Sequence, residues 1–442
     1  MDRIELPIVD SNRDRTLDIL LSVRDVLTFT GTKLSPWIGG RSEALRRLDA
    51  FDVNVYTSTR NRVGDSSGVS RLSPYIRHGL LSLSECRSRA LASSRGGAST
   101  KFIQELAWRE YFGDVHRLYG DAIITHDLEV PKVRLQRKPL PDDIRYGSTG
   151  LACMDENIAD LREIGYVYNH ARMWLASYVV HYRGVAWQAG AAWFFQHLLD
   201  GDPASNSLGW QWVASTASHK AYVFDQNNVL RNADHCLRCA HFSAKTCPFV
   251  GMYERALLPA IAHDEPSTLG PLLPELSVDP GIKRLYETDS TGKPDLILLH
   301  GDHLGRPSNT AMEMLPDVPA VFVFDTAWVS SQRISLKRLG FIYESVSESL
   351  QCHAGGGQII VGDAARYLGS LKGVRRIATT EWSNVRFDYV IQCLRQSSVD
   401  VDIYQSTRLT PTPKRVERRF MRWWSNIAAG VLGGQLCLSD LD

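Results

Sequence analysis

Several residues stand at spacings that bring reactive groups together. In KFIQELAWREYFGDVHRLYG (101–120), Glu105, Trp108, Arg109 and Phe112 fall at i, i+3, i+4 and i+7. Helical spacing puts them on one stripe. A core stripe would be aliphatic and a solvated one would lack the large aromatics; taken alone, the stripe reads first as a surface Glu–Arg pair beside a packed Trp. Asn169, Arg172, Met173 and Ala176 repeat the spacing on a second segment. Arg172 there points inward among apolar residues and needs a carboxylate or an anion. The segment DGDPASNSLGWQW (200–212) offers Asp200 and Asp202 just before Pro203. They read as an Asx-turn and cap, or as partners for that arginine. VSRLSPYIRHG (69–79) sets Ser70 and Ser73 before an apolar run, either as caps or as a phosphate site at a helix N-terminus. Cys236-x2-Cys239-x7-Cys247-Pro248 gathers three thiols, with Cys153 as the candidate fourth. This spacing leaves zinc and an iron–sulfur cluster equally open.

The elements that must position these groups differ between the two halves of the chain. Segments 101–120, 169–182 and 185–199 have helical spacing and few β-branched alternations, so the first half reads as all-helical. Six of the 19 prolines fall in 259–294, which reads as an interdomain connector. Beyond it, β-branched runs at 295–301, 320–325, 340–347, 358–363, 375–381 and 400–406 alternate with helical segments. That alternation predicts a parallel sheet with helices on both faces. The expected divisions are an N-terminal extension (1–36), a helical domain (37–258), the connector, an α/β domain (295–410) and a basic tail (411–442). The tail stretch KRVERRFMRWW (414–424) reads as a solvated amphipathic helix or as a phosphate contact through Arg415, Arg418 and Arg422.

Composition limits the function classes. The 442 residues favour two or three domains. Hydrophobic residues at 44% and charged residues at 22% exclude disordered and collagen-like chains. The 50 Lys+Arg and 49 Asp+Glu give a net charge of +1, so no global basic field marks a nucleic-acid binder. No apolar run reaches the roughly 18 residues of a membrane span. The polar N-terminus is unlike a secretory signal. A cytoplasmic protein with reduced thiols is expected.

Taken together, these segments resemble the photolyase/cryptochrome flavoprotein family over roughly residues 37–250. PWIGGRSEALRRLDAF, VSRLSPYIRHG, ELAWREYF, GYVYNHARMWLAS and LLDGDPASNSLGWQWVAST are each similar to family motifs, in the family's order. The resemblance implies an all-helical FAD-binding domain followed by a Rossmann-like parallel α/β domain of antenna type. By position, Tyr56, Ser70, Leu72 and Ser73 would hold the FAD diphosphate. Arg109, Arg172, Asp200, Asp202 and Asn206 would surround the isoalloxazine. Glu105, Trp108, Asn169, Met173 and Trp212 match the pocket for a flipped cyclobutane pyrimidine dimer. Trp210 and Trp187 match the first two members of an electron-transfer chain. Its third Trp is expected within 120–148, which contains none.

The cysteines resemble those of the family's iron–sulfur bacterial branch. This implies a [4Fe–4S] cluster on Cys153, Cys236, Cys239 and Cys247. LILLHGDHLG resembles the opening of that branch's antenna domain and singles out Asp302, which implies a pocket that holds a lumazine or deazaflavin or is empty. Family members carry this domain first, so the chain looks circularly permuted. The resemblance implies a monomeric dimer photolyase acting on UV-damaged DNA away from membranes. The alternatives are a cryptochrome-type photoreceptor and a (6-4) photolyase.

Overall fold

The computed structural model describes residues 3–10, 12–64, 66–251, 292–305, 309–382, 385–410 and 416–433. Most of the expected connector, and Arg415, lie outside the described residues. The chain divides into two compact units. One gathers Met1–Ala50, Arg71–Ala92 and Val278–Lys414. The other gathers Phe51–Ser70, Ser93–Ser277 and Arg415–Asp442. The two are thus interleaved along the chain, where single cuts had been expected from the sequence.

The first unit is a doubly wound α/β structure. Its strands are β1 (Ile4–Leu6), β2 (Leu296–Leu299), β3 (Ala320–Asp325), β4 (Gly357–Gly362), β5 (Arg376–Thr380) and β6 (Asp400–Tyr404). They lie in the order β1-β4-β3-β2-β5-β6. β2 to β6 pair in parallel, and β1 runs antiparallel to β4 with Ile4 opposite Val361. Apolar runs such as Ala320–Phe324 suit a sheet buried on both faces.

Several segments depart from the sequence reading; residues 37–50 and 71–92, expected in the helical domain, belong to this unit. Residues 1–36, expected as an extension, supply β1 and the helix Arg13–Ser22 to this unit. A three-residue strand between polar stretches carries no periodic signal. The run 340–347, expected as a strand, lies in the helix Leu336–Gln351. Nearly every residue of that helix is buried, which erases the distinction between the two periods.

The second unit is helical. We label its main helices α1 (Thr100–Tyr119), α2 (Ala152–Ala159), α3 (Asn169–Ser177), α4 (Trp187–His197), α5 (Pro203–Val213), α6 (Gln226–Asn232) and α7 (Phe420–Val431). α1 stops at Gly120, whose positive φ of 57° only glycine adopts freely at that backbone setting. Asp202 caps α5 by accepting from the Ser205 N–H, and Pro203 follows at the first helical position. α5 packs on α4 at a glycine: a Cβ on Gly190 would lie 2.3 Å from the Trp210 ring. The core runs from Ile144 and Met154 through Trp174, Trp187 and Trp210 to Phe249. Among the described residues, no helix is long and apolar enough to cross a membrane.

Candidate functional site

α1 turns a core face of Phe102, Ile103, Leu106, Ala107 and Tyr111 inward. Glu105, Trp108, Arg109 and Phe112 fall beside that face and are all half-buried. They are neither core nor solvated, as a ligand-facing stripe requires. Glu105 pairs with Arg60 at 3.2 Å and Lys101 at 3.3 Å. Arg109 lies 4.0 Å from Asp202. Arg172 grips Asp200 with Nη2 at 2.8 and 3.1 Å, and its Nε donates to Val167 O at 2.7 Å. The inward arginine therefore has its carboxylate. Asn206, one turn into α5, donates from Nδ2 to Ala191 O at 2.8 Å and so fixes α4 against α5.

On α3, Asn169 is exposed while Arg172 and Met173 are half-buried on the same face. His170 turns to the other side. Its Nε2 lies 3.1 Å from Asn228 Oδ1, and its ring meets Trp174 edge-on at 5.0 Å. Burial pushes the His170 pKa down, which outweighs the upward pull of the Asn228 bond. Trp212 is half-buried and tilts against Tyr222 at 5.8 Å. Trp108 has a partner no motif announced: Phe420 of α7 stacks on it, centroids 3.7 Å apart and planes at 15°. Trp210 and Trp187 are both buried.

The residues expected at a diphosphate fall to both units. Tyr56 packs edge-on to Phe51 and Phe102 in the helical unit, which also holds Ser70. Leu72 is fully buried, and Ser73 opens the five-residue helix Ser73–Arg77 of the α/β unit.

Within the α/β unit, a cavity of about 80 Å³ lies at the carboxyl ends of β2 and β3. It adjoins the point where strand order reverses between β2 and β5, a usual ligand position in such sheets. His300, Asp302, Trp328, Trp382, Arg386 and Phe387 line it. Asp302 pairs with Arg77 at 2.6 Å. Burial pushes its carboxyl up, but Arg77 and the neighbouring histidines outweigh this and hold it well below the usual range. Burial takes His303 down to about 4.

The four cysteines of the expected cluster gather around the start of α2. Cys153, Cys236 and Cys239 are buried and Cys247 is half-buried. Burial raises the Cys153 pKa, and the charges of Cys236, Cys239 and Cys247 raise it further. The four sulfurs therefore share one neighbourhood. Burial likewise pushes Cys236 up to about 11. Among the described residues, no three metal-ligating side chains converge tightly enough for one ion. Around the thiols, Asn157 donates to Cys153 O at 2.8 Å, and His235 Nδ1 lies 2.8 Å from Glu156. Asn157 Oδ1 is buried without a hydrogen-bond partner.

Residues 102–264 match the family described as the FAD binding domain of DNA photolyase. Over this segment the chain is similar to the photolyase/cryptochrome family. It is 31% identical over 192 residues to the deoxyribodipyrimidine photo-lyase of Alkalihalophilus pseudofirmus, covering 42% of this chain and 40% of that one. Against the Escherichia coli deoxyribodipyrimidine photo-lyase it is 33% identical, covering 36% and 35%. Against the rice cryptochrome DASH it is 31% identical, covering 41% and 33%. The chain spans less than half the length of these curated relatives. Among solved structures, the class III photolyase of Agrobacterium tumefaciens is similar with a TM-score of 0.39 and 26% identity, covering 47% and 44%.

Three residues of this helical unit escaped sequence reasoning. Asn228 accepts from Trp174 Nε1 at 2.8 Å as well as meeting His170. Asp127 accepts from Trp187 Nε1 at 2.8 Å. Phe420 covers Trp108. None stands in a motif. The only sequence signal for Phe420 was its place in an unusually aromatic tail.

Proposed function

We propose that this protein is a light-driven DNA repair enzyme that splits cyclobutane pyrimidine dimers with reduced FAD. The observation that carries this reading is the Arg172–Asp200 pair with Arg109 beside Asp202, inside the segment matching the FAD-binding family. Paired charges at the edge of a core suit a polar planar cofactor better than an apolar interface. When bound and reduced, FAD supplies an excited-state electron to the dimer. The chain's own residues bind and orient. Arg109, Arg172, Asp200 and Asp202 frame the ring system, and Tyr56 and Ser70 of the same unit take the diphosphate. Asn206 commits Nδ2 to Ala191 O, so Oδ1 is the atom it offers a flavin N–H. Trp108 and Trp212 offer faces to unstacked bases, with Glu105 and Asn169 for their edges and Met173 beside them.

In the same reading, Cys153, Cys236, Cys239 and Cys247 hold a [4Fe–4S] cluster. What supports this is that Cys153 lies close enough to Cys236, Cys239 and Cys247 for their charges to act on it, together with the C-x2-C spacing. The α/β cavity lined by Trp328, Trp382 and Phe387, at about 80 Å³, is too small to enclose the lumazine or deazaflavin that the resemblance implies. In this reading the chain is a permuted family member in which most of the helical unit precedes most of the α/β unit, with residues 1–50 and 71–92 joined to the latter, and it acts as a cytoplasmic monomer on UV-damaged DNA.

A second reading is a photoreceptor without repair. The Phe420 ring on Trp108 favours it, because that face is already taken. Illumination of the reduced protein with dimer-containing oligonucleotide tests both. Restored thymines support repair, and none, with intact flavin photochemistry, supports the receptor.

A further inference from the structure

The electron-transfer chain implied by the sequence lacks its third tryptophan, and the structure puts a different group in the stretch where that residue was expected. Trp210 lies against the α4 backbone at Gly190. Trp187 stands three residues before Gly190 in the same helix, hence on the same face. A hole passed from Trp210 to Trp187 then sits on an indole that is 1% exposed. An oxidised indole is far more acidic at nitrogen than a neutral one, comparable with a carboxylic acid, and at this depth it cannot release its proton to water. Trp187 Nε1 instead donates to Asp127 Oδ1 at 2.8 Å, with Asp127 itself fully buried. Arg137 forms an ion pair with the other carboxylate oxygen and reaches partly to solvent. Asp127 and Arg137 both come from the 120–148 stretch.

The neighbouring indoles offer no comparable acceptor. Trp174 Nε1 donates to Asn228 Oδ1, a neutral amide that takes up no proton near neutral pH. Trp193 Nε1 is buried without a hydrogen-bond partner.

We infer that Asp127 is the proton acceptor that ends the electron-transfer chain at Trp187, in place of a third tryptophan. The inference rests on the proposed Trp210–Trp187 chain. Trp187 gives one electron, by way of Trp210, to photoexcited oxidised flavin. The Nε1–H bond breaks and the proton passes to Asp127 Oδ1, leaving a neutral indolyl radical and a carboxylic acid. Positive charge no longer sits on the ring, so charge recombination slows. A thiolate in solution, as one-electron donor, later reduces the radical, and Asp127 returns the proton to Nε1. Electrons and protons then balance: one electron has moved from thiolate to flavin, and Trp187 and Asp127 are restored.

Flash photolysis of the oxidised flavoprotein tests this. In the parent, the tryptophan radical-cation absorption should convert to that of the neutral radical, with a solvent deuterium isotope effect and a rate independent of buffer concentration. A rate that rises with buffer base would overturn the proposal, and this needs no variant. Asp127→Asn keeps the shape and an acceptor oxygen but removes the base. It should slow the conversion by about 10²-fold or more, as loss of a positioned base does. Unchanged conversion in Asp127→Asn would also overturn the proposal. The indole N–H resonance of Trp187, assigned with Trp187→Phe, should move upfield in Asp127→Asn with or without flavin. Trp187→Phe separates the two levels. If long-lived tryptophan radicals still form in that variant, the chain reading itself fails. If they vanish there yet deprotonate normally in Asp127→Asn, only the Asp127 role fails.

Discussion

Phe420 lies flat on Trp108, with ring planes only 15° apart. Its own ring is buried, and α7 is held beside it by Tyr111 Oη donating to Glu417 O at 2.8 Å and by Arg419 on Glu129 at 2.6 Å. A base entering to stack on that face of Trp108 must displace Phe420. Stacking is worth about 1–3 kcal/mol per base. Phe420→Ala should therefore tighten binding of dimer DNA by about five- to a hundredfold relative to undamaged DNA, read by competition titration. It should also lower stability by about 3–5 kcal/mol, as loss of a buried phenyl does. Weaker dimer binding in a folded Phe420→Ala protein would instead make Phe420 part of the DNA platform.

The Arg172–Asp200 pair should be hard to break. Asp200 is almost completely buried and Arg172 about one quarter exposed. Asp200→Ala leaves the guanidinium facing Val167 O and the Tyr166 ring without its counter-charge. The expected cost is about 2–4 kcal/mol, discounted from a fully buried pair for the exposure of Arg172. Denaturant unfolding checks it, and the flavin-to-protein absorbance ratio should fall in the same variant.

How much of this was legible in the residues follows from the range of each signal. The α1 stripe was legible because a helix repeats within a few residues, and Glu105, Trp108, Arg109 and Phe112 do share a half-buried band. The need of Arg172 for a carboxylate was legible from charge among apolar neighbours. The strands of the α/β unit were legible from β-branched runs, save where Leu336–Gln351 was buried almost all round. The joining of β1 and of residues 71–92 to that unit was not, because those contacts span hundreds of residues. Nor was the aromatic burial of the tail. Arg418, Arg419 and Arg422 dominate its composition, yet Phe420, Trp423 and Trp424 are the buried residues.

Loss of one thiol of the proposed cluster should register in both metal content and stability. Cys153→Ser removes the buried thiol that α2 would contribute to the proposed cluster. Iron in anaerobically prepared protein should fall well below stoichiometry, the broad visible absorption should go, and thermal unfolding should come earlier, because ligand binding is linked to folding. Stoichiometric zinc in the parent, with negligible iron, would replace the cluster by a single ion.

His170 gives a pH dependence with a definite sign. Burial lowers its folded-state pKa below the ordinary value of about 6.5. Between the two pKa values the unfolded chain binds more protons, so stability rises with pH across that window. The contribution is complete above about 6.5 and is lost as pH falls toward the folded-state value. His181 is shifted the same way by burial and adds to the slope. Urea unfolding between pH 5 and 7 should therefore show a shallower pH slope for His170→Gln than for the parent.

Lesion choice follows from where that histidine points. A (6-4) photoproduct needs a proton donor at the lesion, and the family resemblance puts a histidine at the place held here by Asn169. An amide does not titrate near neutral pH, so Asn169 cannot be that acid. His170 is the next residue, about 100° around the helix. It is buried against Trp174, engaged with Asn228 and biased toward its neutral form. It faces away from the side that carries Asn169 and Met173. A dimer needs an electron and a stacking, hydrogen-bonding pocket, which Trp108, Trp212, Glu105 and Asn169 can form. The reduced protein should thus repair cyclobutane dimers under light and leave (6-4) DNA unchanged. Replacing His170 by Gln should leave dimer repair within about threefold of the parent, since the side chain acts behind α3. Each lesion illuminated separately decides the point, and (6-4) repair abolished by His170→Gln would make His170 the donor after all.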